Sequence, residues 1–244
     1  MISVKLIMDK RIEIIYEDDN IIVCHKFSGI AVQSASIGSP DMVTELKKYL
    51  AEKANGLKGK QPRVADPYIA VIHRLDQPVE GILVFAKDKR SAGIFSKQAS
   101  GEDPGMEKMY RAVVYGHMKE KSGKLSNYLL KDGRTNSSAV VSKAQGGKLA
   151  ELEYEVVDKN QAKDESDDKT ECVNIKLLSG RHHQIRVQLS YAGVPIVGDL
   201  KYGNAESKAY AKEKGIRQLC LCAYRLTFRH PVDGRKMDFI LDGT

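Results

Sequence analysis

The sequence predicts an α+β fold: a mixed, mainly antiparallel central sheet with flanking helices and loops. Short β-prone apolar segments recur along the whole chain, among them Gly81 to Ala86, Leu149 to Val157 and Cys172 to Leu178. Helical periodicity is confined to a few scattered stretches, and many strands with few helices are the mark of this class. The chain has 244 residues, 42% of them apolar, enough to bury a sizeable core without staples.

The elements follow in order. Ile12 to Ile15 and Ile21 to Cys24 flank the turn-like Glu17-Asp18-Asp19-Asn20 and read as strand, turn, strand. Gly29 and Ile30-Ala31-Val32 continue in extended style. Ser39-Pro40-Asp41 signals a helix start with Ser39 as the capping residue. Met42, Leu46, Tyr49 and Leu50 then recur at helical spacing, with Gly56 as the stop. Gly81 to Ala86 is a buried strand, Ser91 to Gln98 a short helix, and Tyr110 to Tyr115 a strand ended by Gly116. Leu149 to Val157 and Cys172 to Leu178 are strands on either side of an acidic segment. That segment, Asp158 to Glu171, has six acids and three lysines and reads as an exposed hairpin loop. Arg181 to Ala192 is a helix closed by Gly193, and Leu219 to Phe228 and Lys236 to Leu241 are terminal strands. No internal repeat or linker divides the chain, so residues 1–244 are expected to form one domain with its core from about residue 12.

Composition narrows the function. No apolar run approaches the roughly 20 residues needed to cross a bilayer, and the first ten residues lack the order of a signal peptide. A cytoplasmic protein is expected. Cys24, Cys172, Cys220 and Cys222 fit neither a disulfide framework nor zinc knuckles and read as reduced, buried thiols. The net charge of +7 favours a polyanionic partner. Its excess is concentrated in Thr44 to Arg63, with six basic and two acidic residues, and in Lys201 to Arg217, with five and two. A basic face turned toward the partner is expected, with the acidic hairpin turned away.

Two segments carry chemistry. His73-Arg74-Leu75-Asp76 with Gln77-Pro78-Val79-Glu80 is a polar loop that runs directly into the apolar strand from Gly81. Such a loop holds a reactive side chain rigidly at a cleft edge; the ordinary alternative is a surface turn with an Arg–Asp pair. In Gly180-Arg181-His182-His183-Gln184-Ile185-Arg186, a strand gives way to a helix start rich in donors, suited to phosphate. Two solvated arginines are the ordinary alternative there.

Together these segments resemble the RluA-type pseudouridine synthases. The first matches the signature motif of that family. Lys108-x-Tyr110-Arg111-Ala112 with Gly116 resembles its second motif, and Gly180-Arg181-x-His183-Gln184-Ile185-Arg186 its third. Gly198-Asp199-x-Lys201-Tyr202-Gly203 and Leu226-x-Phe228-x-His230-Pro231 follow in family order, and Tyr16-Glu17-Asp18 to Lys26 and Gly29 match the usual start. The resemblance runs from about Ile12 to the C-terminus. Four positions depart from it. Val79 and Glu80 stand for the usual Thr-Ser, Phe27 for a common proline, and Cys222 for a frequent histidine. The separate N-terminal RNA-binding domain of many relatives is not expected, since so little precedes Ile12.

The resemblance implies the pseudouridine synthase fold and an isomerase that converts a uridine within RNA to pseudouridine, without metal or other cofactor. No Walker loop, dinucleotide fingerprint or metal-ligand cluster stands in the sequence. Asp76 is the implied nucleophile on a flipped-out uridine. Arg186 is its implied counter-charge, with Arg181 second in line. Tyr110 would stack on the uracil, its hydroxyl assisting proton removal from C5. Arg74 would enter the vacated base stack. His73 would contact phosphate or support the loop, and Leu221 would wall the uracil pocket. Lys201 and Tyr202, with Lys108, are the remaining RNA or packing contacts. The partner is RNA, either tRNA or rRNA in a stem-loop, bound by a monomer. Two other readings remain: an RNA-binding or ribosome-assembly factor with secondary or lost isomerase activity, and a hydrolase using Asp76 with His73 or His183.

Overall fold

The computed structural model describes residues 6–34, 38–54, 66–103, 105–157 and 168–241. The basic stretch Lys58 to Arg63, the helix stop at Gly56 and most of the acidic segment, residues 158–167, lie outside the described residues. The elements in chain order are β1 (Leu6–Asp9), β2 (Ile12–Glu17), β3 (Ile21–Lys26), α1 (Met42–Ala54), β4 (Ala70–Val71), β5 (Glu80–Ala86), α2 (Lys89–Ser100), β6 (Glu107–Tyr115), β7 (Ser122–Asp132), β8 (Ser137–Val141), β9 (Lys148–Val156), β10 (Thr170–Leu177), α3 (Gln184–Tyr191), α4 (Ala205–Glu213), β11 (Leu221–Arg229) and β12 (Lys236–Ile240). The class is α+β, with a large, mainly antiparallel sheet. The chain divides into two compact units, Met1–Glu107 with Arg225–Leu241, and Lys108–Tyr224.

In the first unit the strand order is β1-β2-β3-β5, with β4 also on β5 and β12 on the end of β11. β3 (Ile-Ile-Val-Cys-His-Lys) is buried along its whole length, as its unbroken apolar run requires of a strand covered on both faces. Its core joins Ile21, Val23, Ile82 and Val84 to Phe95 of α2 and to Leu226, Phe228 and Met237. Two expectations are corrected. Asp41, not Ser39, caps α1, its carboxylate accepting from Thr44 N at 2.8 Å. After a turn at Ser28–Gly29, where Gly29 takes φ +96°, the stretch Ile30-Ala31-Val32 joins no strand and makes one bridge, at Ala31.

The polar loop of this unit hangs from Lys26. Its side chain is fully buried, and Nζ donates to the carbonyls of Val79 (2.6 Å), Gln77 (2.9 Å) and Phe27 (3.3 Å). Three further bonds close the clamp. Gly29 N donates to Gln77 O, Gln77 Nε2 to Gly29 O, and Ser28 Oγ to Pro78 O. Burial pushes the Lys26 ammonium down to about 8, while Asp76 and Glu80 pull it back up.

In the second unit the order is β6-β10-β9-β7-β8. The structure adds the β7–β8 hairpin and α4, two segments whose sequence shows no clear period. Helix α3 covers one sheet face, with Val187 on Leu129 and Ala150, and α4 covers the other, with Tyr210 and Ala211 against Val113 and Tyr115. Strand alternation places Ala150, Leu152, Tyr154, Ile175 and Tyr110 on the α3 face. The helix expected from Arg181 begins only at Gln184. His183 holds φ +53° at its cap and Arg181 precedes it, so of the two arginines only Arg186 is helical. Cys24 and Cys172 are buried free thiols, whereas Cys220 and Cys222 are half-buried, at the less covered start of β11.

Replacing Lys26 with Met strands the carbonyls of Gln77 and Val79 and is expected to cost about 1–3 kcal/mol in urea unfolding. The native ammonium releases its proton more readily than the unfolded one. Wild-type stability relative to Lys26→Met should therefore rise with pH between about 8 and the ordinary 10.5. Gly198 has φ +78°, and a Cβ there would lie 2.0 Å from Gln218 O. Gly198→Ala should cost about 2 kcal/mol or more, read as a lowered melting temperature.

Candidate active site

In the first unit, His73, Arg74 and Asp76 follow one another on the clamped loop. Arg74 is exposed, Asp76 half-buried, and both ring nitrogens of His73 are buried. Leu75, between them, is buried and pins the loop to the core. Val79 N donates to Asp76 O at 3.0 Å, so a tight turn closes directly behind the carboxylate. The aspartate thus stands on a backbone fixed from below by Lys26 and from behind by this turn. That is the preorganisation a carboxylate nucleophile needs.

The departures from the family pattern in this unit gather at one place. His25 Nε2 meets Glu80 Oε1 at 2.8 Å, its Nδ1 lies 3.7 Å from Glu13, and its ring lies 4.1 Å from that of Phe27. Phe27 and Glu80 therefore share one partner, His25, and brace the two ends of the clamp. Val79 is buried beside them.

The second unit contains Tyr110, Arg181, Arg186, Lys201, Tyr202 and Leu221. Tyr110 is 5% exposed on the α3 face of β6, and Leu221 is buried at the start of β11. Arg186 projects from α3 and is buried, with Nε and Nη2 each 2.8 Å from the carboxylate of Asp199. Its guanidinium also lies over the Tyr202 ring, 5.0 Å from the centroid. Asp199 is itself 3% exposed and accepts from Lys201 N and Tyr202 N. Burial would raise its pKa, but the bonds and charge of Arg186 with these two amides outweigh it. The carboxyl is held below the usual range.

Asp199 is the buried partner of Arg186 that the sequence reading does not single out. It stands in the motif Gly198-Asp199-x-Lys201-Tyr202-Gly203. The signal was the acid between two glycines. Gly198 needs its positive φ, and at Gly203 a Cβ would meet Asp199 O at 2.5 Å, so the turn around the acid is tightly specified.

The structure brings Arg186 and Tyr202 together through Asp199. Tyr202 further joins a polar cluster in which its hydroxyl meets His183 Nδ1 at 2.7 Å and accepts from Ser138 N at 2.9 Å. Ser138 Oγ meets His182 Nδ1, and the two histidine rings stack 3.7 Å apart. Arg181 and Lys201 stand apart from this buried cluster. Arg181 Nε donates to Leu149 O, and Lys201 Nζ to the carbonyls of Thr135 and Asn136 at the β7–β8 turn. Among the described residues, no group of three or more His, Cys, Asp or Glu could hold a metal ion. No helix among them is long and apolar enough to cross a membrane.

Comparisons with known proteins bear on the family. The sequence pattern of the family described as RNA pseudouridylate synthase matches residues 20–191. Ribosomal large subunit pseudouridine synthase C of Vibrio vulnificus is 33% identical over 225 residues, and that of Escherichia coli 33% over 226. Each alignment covers 92% of this chain but 64% of the relative, so the chain spans about two thirds of the length of these curated proteins. Among solved structures, Human RNA Pseudouridylate Synthase Domain Containing 4 superposes with a TM-score of 0.70 at 22% identity, covering 94% of this chain and 87% of that one. Human RNA Pseudouridylate Synthase Domain Containing 1 gives 0.67 at 22%, covering 98% and 86%. These two likenesses establish the fold. With the family pattern spanning most of the sequence, the chain belongs to the RNA pseudouridylate synthase family.

Proposed function

We propose that this chain isomerises a uridine within RNA to pseudouridine, as a single catalytic domain with Asp76 as the nucleophile. The observation that carries the reading is the clamped Asp76 loop in a chain of this family. The reaction exchanges one glycosidic bond for another. The N1–C1′ bond breaks, the uracil turns, C5 bonds to C1′, a proton leaves C5 and N1 gains one. Atoms and electrons balance without an outside reactant, so the residues required are a fixed carboxylate, a platform for the loose base and a proton acceptor. Asp76 supplies the first. Tyr110 supplies the platform and assists the proton. Arg186 is the counter-charge that keeps the nucleophile ionised, and Asp199 is the group that orients Arg186.

For the RNA itself, Arg74 fills the stack left by the extruded base, and Leu221 gives the uracil an apolar wall. His73, Arg181, Lys201 and Tyr202 complete the proposed contacts. The names of the curated relatives make large-subunit ribosomal RNA the first substrate to test. The proposed setting is the cytoplasm and the proposed working form a monomer.

Wild-type protein is expected to form pseudouridine in unmodified large-subunit ribosomal RNA, and Asp76→Asn none, as mapped by chemical labelling and mass spectrometry. Equal product from both would dismiss Asp76 as the nucleophile. Binding without product from either would favour the assembly-factor reading. Asp199→Asn leaves Arg186 buried beside a neutral amide and should cost about 3–5 kcal/mol of stability. The folded fraction at low temperature should isomerise more slowly with a nearly unchanged KM, the signature of a misoriented Arg186.

A further inference from the structure

Strand β6 carries a second polar side chain on the face that bears Tyr110. Residues 108 and 110 are two apart, so their side chains leave the same side of the strand, roughly 7 Å from each other. The ladder pairs Met109 with Lys176 and Tyr110 with Ile175. Continued by one step, it sets Lys108 beside Leu177, whose own neighbour on β9 is Leu152. Leu152 and Ile175 are fully buried. The floor under Lys108 is thus apolar.

Lys108 is itself half-buried. Among the described residues its ammonium has no hydrogen bond, ion pair or other electrostatic partner. Burial alone pushes its pKa below the ordinary lysine range, and no carboxylate pulls it back. The other buried cations are paired. Lys26 has three carbonyls, and Arg186 has Asp199. A desolvated cation costs free energy unless it is paired, and a ligand that supplies the missing negative charge recovers that cost on binding. Tyr110 marks where a base would stack, and 7 Å is the scale of the separation between a base and its own phosphate.

We propose that Lys108 is the binding residue for the RNA phosphate adjoining the uridine that stacks on Tyr110. The assignment rests on the proposed RNA substrate. It makes β6 a two-point reader, with an aromatic platform for the base and a cation for its backbone. A phosphate fits better than a carbonyl oxygen of the base because only a full charge offsets the desolvation of the ammonium.

The test measures affinity for a transcript of unmodified large-subunit ribosomal RNA across a salt series, in the Asp76→Asn background so that no turnover intrudes. Adding Lys108→Met should reduce the slope of log affinity against log salt by roughly 0.7–0.9, the loss of one phosphate contact, and weaken binding about fivefold at moderate salt. Lys108→Arg should keep the slope. The melting temperature of Lys108→Met should match or exceed that of its parent, since an unpaired charge has been removed. An unchanged slope overturns the proposal, whatever happens to the rate. Failure of both Lys108→Met and Lys108→Gln to fold also overturns it, because the lysine would then be structural. If wild-type protein makes no pseudouridine but the slope effect of Lys108 is present, the isomerase reading falls and the phosphate contact stands.

Discussion

An ammonium taken wholly out of water must find acceptors, and at Lys26 those acceptors are backbone carbonyls. The first unit is organised around this demand. Each carbonyl that Lys26 holds fixes a peptide plane, and the two fixed planes at Gln77 and Val79 leave the chain between them little choice of path. The turn closed by Val79 N on Asp76 O, the φ of +96° at Gly29 and the pairing of β3 with β5 are geometrically consistent with that one requirement. A carboxylate carried by such a loop loses little conformational entropy when it engages a substrate.

The second unit meets the same demand differently. Its buried arginine is matched by a carboxylate with two parallel bonds, and that carboxylate is satisfied in turn by the amides of Lys201 and Tyr202. The bidentate geometry fixes the plane of the guanidinium as well as its position. Tyr202 serves four partners at once: its amide reaches Asp199, its ring lies under Arg186, and its hydroxyl meets His183 and Ser138. Lys108 differs from both cations, and that contrast gives it meaning.

Much of this was legible in the sequence. The strands from Ile12, Ile21, Gly81, Leu149 and Cys172 were visible because their apolar residues sit in unbroken or alternating runs. Asp76, Tyr110 and Arg186 stood out through motifs, and the fold class followed from strand count. The β7–β8 hairpin was not legible, because its outward residues include Lys124, Ser126 and Asp132 and its alternation is weak. The cap at Asp41 and the late start of α3 were missed for a related reason. Ser39 and Arg181 look adequate locally, and only tertiary partners, such as the bond from Gln184 Nε2 to Glu151 O, choose between neighbouring registers. Lys26 is legible only as a motif letter, because two of its three carbonyl partners, Gln77 and Val79, lie 51 and 53 positions away in the chain and leave no local trace.

The first unit is discontinuous. Leu226, Phe228 and Met237 complete a core begun by Ile21 and Val23, and His230 reaches Asp18 across 212 positions. Among the described residues, the second unit lies within Lys108–Tyr224. During synthesis, the stretch bearing Tyr110 and Arg186 is therefore fully emerged before the unit bearing Asp76 has its last strands. The scaffold of Asp76 closes only when Leu226, Phe228 and Met237 have left the ribosome, so a nascent product that stops short of them has the arginine in place and lacks a finished seat for the aspartate.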